Sequence, residues 1–225
     1  MDAVDPTLGR ACIRIGAEKS ASIPVDEFAA ALPWPKHFHR LDLGRPGLAS
    51  AVALTQSDLR RLFDLLNDEL GRSGTRGEIF LVGGAVMCLA YAARPSTQDV
   101  DALFRPPAQV REAAARVAAR AKVRADWLND AVKGFVSAQG EFAPFLELEH
   151  LRVMVALPEY LLAMKCLAMR IGAEFHDEDD VRYLLRHLDI RTQDKALTVI
   201  TKYYPLERFP QKTLYALAEL LPHSD

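Results

Sequence analysis

The sequence predicts an α+β protein in which a mixed sheet flanked by helices comes first and a C-terminal helical bundle follows. Three features predict it. The apolar run Ile79-Phe80-Leu81-Val82 reads as a buried strand and stops on Gly83-Gly84. A second extended stretch, Asp99 to Phe104, follows after a helical interval. From Pro158 onward the apolar spacing is helical almost to the end.

In chain order, residues 1–54 differ from the rest. They carry scattered prolines and the cluster Trp34-Pro35-Lys36-His37-Phe38-His39-Arg40, with a short strand expected at Ile13–Ile15 and a short helix at Val25–Leu32. This segment is expected to be an extension that packs on the main domain or stays mobile. Thr55 is a helix N-cap, and Leu59, Leu62, Phe63, Leu66 and Leu70 follow at helical spacing before the Gly71 stop. After the Ile79–Val82 strand a helix is expected over Ala85 to Ala92. Pro106-Pro107 ends the Asp99–Phe104 strand and starts a helix reaching about Ala121, with Arg111, Arg116 and Arg120 outside. Two extended stretches are expected at 142–148 and 151–156, separated by Glu149-His150. Helices are expected at 158–171, 177–188, 193–204 and 211–221, punctuated by Gly172, Pro205 and Pro210. The implied organisation is an extension at 1–54, an α/β domain at 55–157 and a helical region at 158–225.

Composition bounds the function classes. The 225 residues are 50% hydrophobic and 26% charged with a net charge of −2, so no global basic field points to nucleic acid. Cys12, Cys88 and Cys166 have no metal-site spacing, and their sparse use suits a reducing cytoplasm. The acidic opening is not that of a signal peptide, and no apolar run is long enough to span a bilayer.

The informative unit is strand, Gly83-Gly84, helix, loop, then Asp99-Val100-Asp101. Glycines at a strand-to-helix junction let the backbone approach a ligand, and the free amides of a helix start suit phosphate. Along a strand the period of two puts Asp99 and Asp101 on one face. Paired carboxylates repel unless a cation lies between them or both are well solvated, and hard oxygen ligands suit Mg²⁺ or Mn²⁺. A two-metal site wants a further carboxylate from a neighbouring strand. Glu147 is the first choice and Glu149 the second, although exposed edge glutamates look the same. Lys165 interrupts the apolar helix Leu161–Met169; it either snorkels to solvent or reaches a bound triphosphate. Asp177 or Asp180 can hold it in place, or can serve as first-turn acids. Asn129 and Asp130 suggest a capped helix start near the cleft, with Lys133 facing an acceptor strand or solvent.

These residues resemble the AbiEii-like nucleotidyltransferases of the DNA polymerase beta superfamily, which include toxins of bacterial toxin–antitoxin and phage-defence systems. The resemblance rests on Leu81-Val82-Gly83-Gly84-Ala85, on the run Arg94 to Asp101, and on Lys165 with Asp177 and Asp180. Trp127 to Phe135 and Ala163-Met164-Lys165 are similar to a poorly characterised branch. The resemblance covers about Thr55 to Leu221. It implies a nucleotidyltransferase-like mixed sheet, with Gly83 and Gly84 on the phosphates of a nucleoside triphosphate and Mg²⁺ or Mn²⁺ on Asp99 and Asp101. It also implies a nucleotide-contacting Lys165, an acidic partner at Asp180, and Thr97 where a small hydroxyl residue is common. The implied activity is transfer of a nucleotide to RNA, tRNA among the choices, or to a protein hydroxyl, by a cytoplasmic toxin with a cognate antitoxin. Many superfamily members carry serine where this chain has Ala85. That departure leaves a second expectation, a regulatory or antitoxin-like partner with weak transfer. A third is a nucleic-acid-binding protein that uses Arg111, Arg116, Arg120 and the Lys36–Arg40 cluster.

Overall fold

The computed structural model describes residues 21–22, 53–170 and 177–221. The expected Ile13–Ile15 strand, the Val25–Leu32 helix, Cys12, Gly172 and the Lys36–Arg40 cluster lie outside the described residues. In order the elements are β1 (Ala21–Ser22), β2 (Leu54–Thr55), α1 (Gln56–Arg72), β3 (Gly77–Leu81), α2 (Gly83–Leu89), β4 (Ser96–Thr97) and β5 (Val100–Arg105). Then follow α3 (Pro107–Ala121), β6 (Leu128–Asn129), a 3-10 turn (Ala131–Phe135), β7 (Glu141–Glu147) and β8 (Leu151–Ala156). The helices α4 (Pro158–Ala168), α5 (Asp177–His187), α6 (Gln193–Ile200) and α7 (Gln211–Leu220) complete the chain.

Most of the strands form one mixed sheet, in the order β1-β7-β8-β3-β5-β6. β3 pairs parallel with β8 and antiparallel with β5, and β6 joins the far side of β5 in parallel. The α+β class expected from the sequence is therefore present. β1 shows one point of the N-terminal extension, where Ala21 and Ser22 pair with Phe142 and Glu141 on the β7 edge.

Local chemistry sets the element ends. Thr55 caps α1 in a reciprocal capping box with Asp58, and Leu59, Leu62, Phe63, Leu66 and Leu70 form its buried face. α2 starts at Gly83 rather than Ala85, so the glycine pair is its first turn. α6 stops at Ile200, short of the expected 204, because Tyr203 and Tyr204 turn into the core. There the Tyr203 carbonyl accepts from Ser137 Oγ at 2.6 Å, and the Tyr204 hydroxyl donates to the Phe135 carbonyl at 2.5 Å. These bonds tie the helical half to the segment after the 3-10 turn. One continuous apolar core runs from α1 and the sheet into α4, α5 and α6. The boundary expected at 157/158 is thus a change of secondary structure inside a shared core. Among the described residues, no helix is long and apolar enough to cross a membrane.

Candidate active site

The site lies where β3 ends and β5 begins. Leu81 is opposite Ala102, and one step further the Val82 amide donates to the Asp101 carbonyl at 3.0 Å. The chain must then turn sharply into α2. Gly83 does this with φ +64, a left-handed conformation that costs a side-chain-bearing residue energy. A Cβ on Gly83 would stand 3.1 Å from Asp101 Oδ2. A Cβ on Gly84 would fall 2.6 Å from Thr97 Oγ1 and 3.0 Å from Arg94 Nη1. Both glycines therefore make room first for the protein's own side chains. No side chain caps α2, so its first amides are left for another partner.

Asp99 and Asp101 flank Val100, which is fully buried, while both aspartates stay half-buried. Burial and the Asp101 charge push the Asp99 carboxyl up to about 6. Burial also raises Asp101, against the Asn129 hydrogen bond and the more distant charges of Lys165 and Arg170. Thr97 is buried at 7% exposure and donates to the Asp99 carbonyl at 3.1 Å. Its proton is committed inside the turn, where it fixes the backbone that presents Asp99.

Across from the carboxylates, the helical half supplies a charged cluster. Lys165 on α4 is 11% exposed, and its Nζ lies 2.7 Å from Asp180 Oδ2 and 3.2 Å from Asp177 Oδ1. Asp180, 4% exposed, also takes an ion pair from Arg94, which reaches over from the loop before β4. Arg170 Nε is 2.9 Å from Asp177 Oδ2. Burial pushes Asp177 up, but the Arg170 and Lys165 contacts outweigh it and hold it below the usual carboxylate value. Lys165 is therefore held by both acids across the α4–α5 junction instead of snorkelling. An open cavity of about 270 Å³ is lined by Arg94, Pro95, Ser96, Asp179, Asp180 and Tyr183. Asp99 and Asp101 do not line it, so it lies beside the carboxylates.

Glu147 is not part of this site. It pairs in register with Arg152, and Arg152 with Glu78, near the start of β3. Asp101 lies beyond the other end, roughly 13 Å away along the strands at ~3.3 Å per residue. Glu147 is instead ion-paired with Arg76 and, at 2.9 Å, with Arg152 Nε. Glu149 is on the exposed turn at that same end, 3.7 Å from His150 Nε2. Among the described residues, no group of three or more His, Cys, Asp or Glu side chains is poised to hold a metal ion. The donor set at the site is thus two carboxylates. Two half-buried, like-charged oxygen donors fit one small hard cation whose remaining ligands are water and substrate oxygens. The arginines of α3 are also committed: Arg116 and Arg120 lie 3.0 and 2.9 Å from buried Glu69, and Arg111 2.7 Å from Asp130.

The chain matches no protein-family model, characterised protein or solved structure. The site is read from its own geometry.

Sequence reasoning named two groups here without assigning them these partners. Arg94 had only its nearness to Asp99 in the chain to mark it, and its partner Asp180 comes from the helical half. Asn129 stands opposite Asp101 on β6, and its Nδ2 donates to Asp99 Oδ2 at 3.2 Å. The expected capped helix start is not formed, since Asp130 at the N-cap makes no side-chain cap bond. Asn129 Oδ1 accepts from the Ala131 amide at 3.1 Å, and a 3-10 turn follows.

Proposed function

We propose that this protein is a metal-dependent nucleotidyltransferase, moving a nucleoside monophosphate from a nucleoside triphosphate to a hydroxyl of RNA, tRNA among the choices, or of a protein. The carrying observation is the Asp99/Asp101 pair, two half-buried carboxylates with raised pKa beside the Gly83 turn. Perturbed carboxylates of this kind concentrate at functional sites. Asp99 and Asp101 would hold Mg²⁺ or Mn²⁺. Bound there, the ion would neutralise charge at the α-phosphate and ease loss of the proton from the attacking hydroxyl.

The chain's own residues account for the rest. The uncapped amides at Gly83 and Gly84 receive phosphate oxygens. Lys165 offers a positive charge toward the same space, and Asp177 and Asp180 fix its position. Asp180 is a positioning residue, buried behind Lys165 and Arg94. A cytoplasmic toxin with a cognate antitoxin is the biological role we propose, from the resemblance of the motifs.

The test is incubation with each labelled nucleoside triphosphate, Mg²⁺ or Mn²⁺ and total bacterial RNA, beside an Asp99→Ala control. Label entering RNA or the protein itself, and lost in the control, is expected. One observation favours a second reading, a regulatory partner. Ala85 is fully buried, so no hydroxyl comes from the position where many superfamily members carry serine. Nucleotide binding without label transfer in any reaction would select that reading.

A further inference from the structure

Two like charges must be held together before a cation arrives. Neither Asp99 nor Asp101 has a lysine or arginine within ion-pair distance among the described residues. What stands beside both carboxylates is the Asn129 side-chain amide. Its Nδ2 donates to Asp99 Oδ2 at 3.2 Å, and Asn129 is the residue in register with Asp101 on the neighbouring strand.

Three features make this amide a built part of the site. Asn129 is brought there by parallel pairing, with Val100 opposite Leu128 and Asp101 opposite Asn129. The strand itself is anchored, because Val100 donates to the Trp127 carbonyl at 2.7 Å and the buried Trp127 Nε1 donates to the Ala114 carbonyl at 3.1 Å. The amide's orientation is also determined. The Ala131 amide can only donate, so the atom 3.1 Å from it must be the side-chain oxygen. That leaves Nδ2 as the atom that faces the carboxylates, where it donates to Asp99. An aspartate at this position could donate no proton.

We propose that Asn129 is the positioning residue of the cation site. It braces the Asp99 carboxylate, next to Asp101, with a neutral donor on the neighbouring strand, where a two-metal centre would place its third carboxylate. This rests on the metal-dependent reading of the pair. The brace lets two carboxylates face one another in the metal-free protein and keeps their outer oxygens aligned for a single ion. A carboxylate in its place would add a ligand charge for the ion and a third repulsion in its absence.

Those two consequences have opposite signs, which separates this role from simple structural support. Mn²⁺ binding to the full chain is measured by calorimetry and electron paramagnetic resonance, with melting temperature recorded in chelator and in Mn²⁺. Asp99→Asn serves as the control that reports the site. Asn129→Leu should weaken Mn²⁺ binding roughly ten- to hundredfold, as loss of supporting hydrogen bonds to metal ligands does. Asn129→Asp should tighten it by on the order of tenfold through added ligand charge. It should also melt lower than wild type in chelator and gain more from Mn²⁺. Wild-type affinity in Asn129→Leu overturns the inference and leaves the metal reading standing. Equal weakening in both variants overturns it as well, since loss of folding support would produce that. Wild-type protein with no Asp99-dependent Mn²⁺ binding removes the metal reading and the brace together.

Discussion

The two ends of the β3–β5 strand pair treat carboxylates in opposite ways. At the β3 start, Glu78 is bonded to Arg105 at 2.6 and 3.0 Å, and Glu147 faces Arg76 and Arg152. Both strand glutamates there have guanidinium partners. At the β3 end, Asp99 accepts only from the neutral Asn129 amide, Asp101 has no ion-pair partner among the described residues, and burial raises both. Surface ion pairs are worth little, but they cost little as well. A half-buried pair of like charges is a cost that folding alone gives no reason to keep. The first end is built for the sheet, and the second for something the sheet holds.

The largest expected effect tests that contrast directly. Asp99→Ala or Asp101→Ala should lower nucleotide transfer at least about a thousandfold, the scale seen when preorganised charge at a reacting centre is removed. The same variants should melt no lower than wild type in chelator, because each relieves like-charge repulsion. Retained transfer by either purified variant would end the assignment of the pair. A large loss of stability without metal would mean that the two ends do not differ as argued.

Next in size is the buried cluster that joins the halves. Lys165→Ala removes one cation from two acids that are 8% and 4% exposed. Breaking a buried pair costs about 3–5 kcal/mol, and Arg94 and Arg170 remain, so roughly 3 kcal/mol is expected. Urea unfolding measures it. Lys165→Arg should recover stability while still transferring poorly if Lys165 meets the nucleotide as a compact point charge. Recovery of both would mean that the residue is structural.

A third prediction concerns pH. Asp99 is raised from 3.8 to about 6 in the folded chain, so between those values the native state holds a proton that the unfolded state has released. By linkage, stability without metal should fall as pH rises through that window and level off above it. Asp99→Asn should remove this slope. Parallel pH–stability curves for the two proteins would show that Asp99 is not raised.

How much of this was legible in the chain depends on sequence distance. The glycine junction and the Asp-x-Asp are local patterns, although Asp99 lies one residue before β5, in a bend that strand period does not describe. Lys165 beside Asp177 and Asp180 was legible as an alternative, because the three are separated by a single helix junction. Glu147 was misplaced because its end of β7 is set by register with β8, and that of β8 with β3, neither of which composition encodes. The partners of Asn129 and Arg94 were illegible for the same reason. Each acquires its role from a partner on another element, across β5–β6 pairing or the α5 packing. Thr97 shows a subtler limit. Its position beside the aspartates was correct, but whether a hydroxyl faces a ligand or the interior depends on burial.

The smallest effect completes the comparison from the other end. Glu147 is half-exposed, and its two arginine partners are more than two-fifths exposed, so solvent screens the triad. Glu147→Ala should cost less than about 1 kcal/mol in urea unfolding, and raised salt should shrink the difference. Transfer and Mn²⁺ affinity should match wild type, because the register places this carboxylate a strand's length from Asp101. A loss of Mn²⁺ binding in Glu147→Ala would require the sheet register to be wrong. It would return this residue to the metal site, and the two ends of the strand pair would then be one.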